Sequence, residues 1–147
     1  MPASYAIDTN LYIDASRNRV SRADLARFTL RTGLRLYLSA VVLMELRAGA
    51  RFQAHRDGVN VLHDEFAGRN RMVVPSATAY AQAGRVLADL AEHEGFALAF
   101  APRSFINDVL IAASCREHDV VLVTANHVDF TAIARHLRGF RAVSRWP

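Results

Sequence analysis

Short apolar runs recur along this chain, and longer segments of helical period lie between them, the pattern of a parallel sheet covered by helices. Tyr5-Ala6-Ile7, the alternating Leu34, Leu36 and Leu38, Met72-Val73-Val74 and Val120-Val121-Leu122-Val123 read as strands. The first extends from Ser4 to Asp8 and leads into a helix from about Leu11. Ser21-Arg22-Ala23-Asp24 reads as the cap of a helix that buries Leu25 and Phe28 and ends at Gly33. Ser39 caps a helix running to about Arg51. Gln53 to Phe66 is a further helix despite Gly58, and Ser76 to Glu94, ended by Gly95, is the most helical stretch. Phe96 to Arg103 fits no element. Ser104 to His118 and Thr131 to Arg138 are helices, with Phe140 to Val143 as a last strand. The expectation is an α/β fold with a central, mostly parallel sheet.

Composition limits what such a fold can be doing. At 147 residues, with 52% hydrophobic and 22% charged side chains, the chain can bury a core, and residues 1–147 are expected to form one domain. The longest apolar run, Phe96 to Ala101, is too short to cross a bilayer, so no membrane association is expected. Asp8 and Asp14 interrupt the segment where a signal peptide would need unbroken apolar residues. A single cysteine, Cys115, excludes an internal disulfide and fits a reducing compartment, with the cytoplasm as the expected location. All 18 basic residues are arginine, which excludes Schiff-base and Walker-type lysine chemistry. A net charge of +4 and a pI near 10.0 suit a polyanionic substrate.

Four carboxylates stand where a soluble domain would ordinarily avoid them. Asp8 ends the first apolar run, and Asp129 lies just beyond the last long one. Glu45 follows Val41 and Val42 by one helical turn and precedes Gly49 by another. Asp108 has Phe105, Ile111, Ala112 and Cys115 on the same face. In open parallel sheets ligands gather at the carboxyl ends of the strands, where Asp8 and the Thr124-to-Asp129 loop both lie. Acids about 5 Å apart repel by roughly 3 kcal/mol per pair at an effective dielectric of 20. A hard divalent cation, Mg²⁺ or Mn²⁺, relieves that repulsion. Zinc does not fit, because one cysteine and six scattered histidines show no ligand spacing.

Each acid also has a purely structural role open to it. Asp8 could cap the helix that follows it, and Glu45 could pair with Arg47 or Arg51. Asp108 could be a partner of its helix dipole, and Asp129 could cap the Thr131 helix. The joint pattern favours a shared site.

The segments Ala6-Ile7-Asp8-Thr9-Asn10 with Ile13-Asp14, Ser39 through Glu45-Leu46-Arg47-Ala48-Gly49, Ile106-Asn107-Asp108 with Leu110 to Ala113, and Leu122 to Asn126 with Asp129-Phe130 occur in that order. In this the chain resembles PIN-domain ribonucleases, most closely the VapC-like toxins of type II toxin–antitoxin modules, from Tyr5 to about Phe140. The resemblance implies a three-layer α/β/α, PIN-like fold and an endoribonuclease dependent on Mg²⁺ (or Mn²⁺). It assigns Asp8, Glu45 and Asp108 to the family's core acids and Asp129 to its more variable fourth. Thr9, Asn10, Thr124 and Asn126 match polar positions that support metal ligands or attacking water. It further implies a homodimer and a small cognate antitoxin that occupies the pocket, with operator DNA bound only through that antitoxin.

The chemistry expected is hydrolysis of RNA phosphodiester bonds by metal-activated water, with Asp8 and Asp108 as the first candidates for direct ligands. Arg47 and Arg103 are candidates for holding flanking phosphates. Two alternatives compete. A phosphoryl-accepting receiver domain would need a strand-end lysine, which is absent. A non-catalytic PIN-fold RNA-binding or regulatory domain would not need the acids.

Overall fold

The computed structural model describes residues 2–147. Its five strands are β1 (Ser4–Ile7), β2 (Leu36–Ser39), β3 (Met72–Val73), β4 (Val120–Thr124) and β5 (Ala142–Ser144). All pair in parallel, in the order β3-β2-β1-β4-β5. Seven helices complete a three-layer α/β/α architecture: α1 (Thr9–Arg17), α2 (Arg19–Thr32), α3 (Ala40–Gly49), α4 (Gln53–Gly68), α5 (Ala77–His93), α6 (Arg103–Glu117) and α7 (His127–Ala134).

Covering a sheet on both faces requires strands that are apolar throughout, and β4 meets that requirement, with every residue from Val120 to Thr124 buried. Ile7, Leu38, Leu122, Ile111, Phe28 and Phe130 are among the side chains fully enclosed between the layers. Arg71 is the one buried arginine among the described residues. It donates from Nη1 to the Gly33 and Leu36 carbonyls, at 2.9 Å each, and lies over the Phe66 ring. That clamp ties the β2–β3 side of the sheet to the end of α2.

The strand order positions the site. From central β1 the chain moves outward to β2 and β3, then returns across the sheet to β4 and β5. Connections therefore leave β1 and β4 in opposite directions, and a crevice opens between their carboxyl ends. Asp8 follows β1, and Thr124 ends β4.

Several boundaries differ from the sequence reading. Asn18, not Ser21, caps α2, because its Oδ1 accepts from both the Val20 and Ser21 amides. Leu34 mimics a strand position, yet Gly33 has φ +54° and a 3-10 turn carries Gly33–Arg35, leaving Leu34 72% exposed. The helix expected at Thr131 to Arg138 begins four residues earlier as α7, capped by Asn126. The last strand lies at Ala142–Ser144 rather than Phe140 to Val143, and Phe140 joins the core. Phe96 to Pro102 contains only a 3-10 turn at Leu98–Phe100, and Arg103 already begins α6.

Candidate active site

Asp8 is buried and is held at both carboxylate oxygens. The Thr9 amide donates to Oδ1 at 2.8 Å, and the Thr124 hydroxyl donates to Oδ2 at 2.6 Å across the β1–β4 crevice. Asp8 is thus the cap of α1 and part of the crevice at once. Burial raises its pKa, the two hydrogen bonds oppose that, and the charge of Glu45 adds to the rise.

Glu45 reaches the same place from α3. Its Oε1 accepts from the Thr9 hydroxyl at 2.7 Å and its Oε2 from the Asn107 amide at 3.3 Å. Neither Arg47 nor Arg51 pairs with it; Arg47 instead reaches Asn60 and His63. Asp108 enters from the first turns of α6 and is buried. Its carboxyl is pushed up to about 8, first by burial and then by the charges of Asp8, Glu45 and Asp129. Those three named charges place all four acids in one electrostatic neighbourhood. Asn126 joins the last pair, donating from Nδ2 to Asp108 at 3.3 Å and to Asp129 at 3.0 Å. Asp129 does not cap a helix at Thr131; it sits in the first turn of α7, where the helix dipole favours an anion.

Of the polar positions named from sequence, Thr9, Thr124 and Asn126 are therefore bonded to the acids. Asn10 is not, and its Oδ1 is buried without a hydrogen-bond partner. Sequence reasoning gave Asn107 no role, although it holds Glu45. Its position directly before Asp108 was the available signal. Beneath the acids lies Cys115, whose thiol burial and the charge of Asp8 push up to about 12, so it stays protonated and inert.

The donor set fits a hard divalent cation. Every potential ligand is oxygen, and among the described residues no arginine or histidine forms an ion pair with any of the four acids. The four acids are linked through hydroxyl and amide side chains rather than packed oxygen to oxygen. Among the described residues, the group whose ligand atoms all lie within 4.8 Å of one another is a different one, Asp89, Glu92 and His93 on α5.

The structure thus belongs to the class of parallel α/β domains that carry an acid-lined crevice at the switch point of the sheet. The PIN domain family model matches residues 5–136, and the chain belongs to that family. None of the curated protein sequences matches. Solved structures share the fold at low identity. The DNA-bound VapBC complex from Salmonella typhimurium aligns with a TM-score of 0.71 and 20% identity, over 99% of this chain and 100% of that one. VapBC-1 from nontypeable Haemophilus influenzae gives 0.67 and 20%, over 95% and 96%. FitAcB from Neisseria gonorrhoeae gives 0.63 and 24%, over 97% and 98%.

Proposed function

We propose that this chain is a divalent-metal-dependent endoribonuclease acting as the toxin of a type II toxin–antitoxin pair. The observation that carries this reading is the buried Asp108, whose carboxyl is raised first by burial and then by three other acids, one following β1, one on α3 and one on α7. A protein that needed those acids only as caps or surface charge would not bring them together at a buried position.

Asp8 and Asp108 would hold Mg²⁺ or Mn²⁺, with Glu45 and Asp129 completing the acidic shell. When bound, the ion neutralises the scissile phosphate and lowers the pKa of the attacking water. The chain's own contribution is positional. Thr9 fixes both Asp8, through its amide, and Glu45, through its hydroxyl, so the two acids share one anchor. Thr124 keeps Asp8 from turning, and Asn107 keeps Glu45 from turning. Asn126 spans Asp108 and Asp129. In the reaction the water oxygen bonds to phosphorus as the bond to the 3′ oxygen breaks. That oxygen takes up a proton, giving a 5′-phosphate and a 3′-hydroxyl. Glu45, fixed at both oxygens, would orient the water.

The partner reading is part of the same proposal. The similar structures named above are VapBC and FitAcB complexes, one of them with DNA. In this chain a cavity of about 470 Å³, walled by Tyr12, Ile13, Leu46, Ala54 and Leu62, runs up to Glu45. An antitoxin segment seated there would reach the acids, and operator DNA would be bound through the antitoxin. The exposed side chains of Leu98, Phe100 and Ile106 offer apolar surface for a second copy of the chain, the proposed homodimer. Among the described residues no helix is long and apolar enough to cross a membrane, and a cytoplasmic location accords with an RNA substrate.

Incubating the purified chain with total RNA tests the activity. Cleavage with Mg²⁺ or Mn²⁺ that stops on adding EDTA is expected. Cleavage that continues in EDTA would reject the mechanism, and no cleavage with any divalent ion would favour the non-catalytic RNA-binding alternative.

A further inference from the structure

A second cavity, of about 370 Å³, opens beside the acids, between the end of α5 and the beginnings of α6 and α7. Asp129 lines it, so one carboxylate belongs both to the acid cluster and to the cavity wall. Leu90, Phe96 and Phe105 form its apolar part, the two rings 4.8 Å apart and tilted by 39°. Glu94 and Ser104 add polar groups. Apart from Asp129, nothing in the hydrolytic mechanism uses these residues.

We propose that this cavity is a nucleobase subsite, which receives the base adjoining the phosphate at the acids and favours guanine over uracil. It rests on the ribonuclease reading and names the part of the substrate that the acids do not touch.

Three observations support it. The cavity falls at the small end of ligand pockets, roughly 300–1,000 Å³, and has aromatic surface on which a flat base can stack. It is continuous with the acids through Asp129, so a base can enter it while its own phosphate stays at the crevice. Its one fixed polar group is an acceptor. Glu94 is gripped by Arg135, through Nη2 at 2.6 Å and Nε at 3.4 Å, and by the His136 ring. Those bonds hold its carboxyl down to about 2, so it remains an ionised acceptor at any working pH.

Arg135 and His136 leave one lone pair of Glu94 open, on Oε1, and guanine presents two adjacent donors, a ring N–H and an amino group, either of which can meet it. Uracil presents one N–H flanked by two carbonyl oxygens, which carboxylates repel. Arg103, exposed at the first position of α6 beside Ser104, is placed for the neighbouring phosphate.

The test uses 5′-GMP, 5′-IMP and 5′-UMP, titrated by calorimetry into the full chain with Mg²⁺. GMP is expected to bind about tenfold more tightly than UMP, with IMP, which lacks the 2-amino group, between them. Phe96→Ala, at a half-buried position, should weaken GMP about tenfold, and Glu94→Gln should reduce the GMP-to-UMP ratio to below about threefold. Equal binding of GMP and UMP, or GMP binding unchanged by both substitutions, would overturn the subsite. Cleavage mapping separates this from the nuclease reading. Cuts scattered without regard to base would sink the subsite and leave the nuclease standing. Selective GMP binding without any RNA cleavage would keep the subsite and remove the nuclease.

Discussion

Replacing Asp108 with Asn should make the protein both more stable and inactive. The native carboxyl titrates at about 8 against 3.8 for the ordinary group. Between those values the folded chain holds a proton at this site that the unfolded chain has released. Stability from the site is therefore fully present below pH 3.8 and is lost as pH rises through about 8. The slope approaches about 1.4 kcal/mol per pH unit, and at pH 7 the accumulated cost reaches at most about 4 kcal/mol. Asn stays neutral and keeps an oxygen for the Asn126 amide, so Asp108→Asn removes that cost. Urea unfolding in EDTA at pH 5, 6 and 7 reads it directly. The wild type should lose stability with pH more steeply than the variant, whose remaining slope at this site reflects Asp8, also raised by burial. RNA cleavage by the variant should be abolished. A variant less stable than wild type at pH 7, or with the same pH slope, would refute the reasoning that Asp108 is a buried acid under repulsion.

Metal affinity should follow the same proton. Mg²⁺ must displace it, so calorimetric affinity should rise up to about tenfold per pH unit and level off above about pH 8; a pH-independent constant between 6 and 8 would contradict this. Thr124→Val removes the hydroxyl that holds Asp8 Oδ2 and should lower cleavage about 10- to 100-fold while leaving the far-ultraviolet spectrum unchanged; an equally active variant would show that this bond does not position Asp8. Phe100→Asp, at a side chain 87% exposed, should convert the proposed dimer to a monomer in light scattering without lowering the melting temperature. A dimer that persists would place the contact elsewhere.

What could be read from sequence divides along physical lines. β4 and β1 were legible because strands covered on both faces must be apolar, and Val120 to Val123 is a short, valine-rich run of that kind. The acids were legible because charge on such faces is conspicuous: Asp8 closes one run and Asp108 interrupts another. Helix starts were less so. Asn18 and Ser21 are both good caps, and only the backbone geometry decides which side chain meets the free amides. Leu34 carried the period of a strand that the turn at Gly33 overrides. The resemblance pointed to Thr9, Thr124 and Asn126 as supports, but which acid each one holds was not legible. Thr9 bridging to Glu45, or Asn107 to the same carboxylate, joins residues far apart in the chain, which local spacing does not encode.

The most direct measurement is the anomalous scattering of crystals grown or soaked with Mn²⁺. The account predicts a peak within about 2.5 Å of oxygens from both Asp8 and Asp108, lost in Asp108→Asn crystals. A peak confined to Asp89, Glu92 and His93 on α5, or no peak at saturating Mn²⁺, would contradict it.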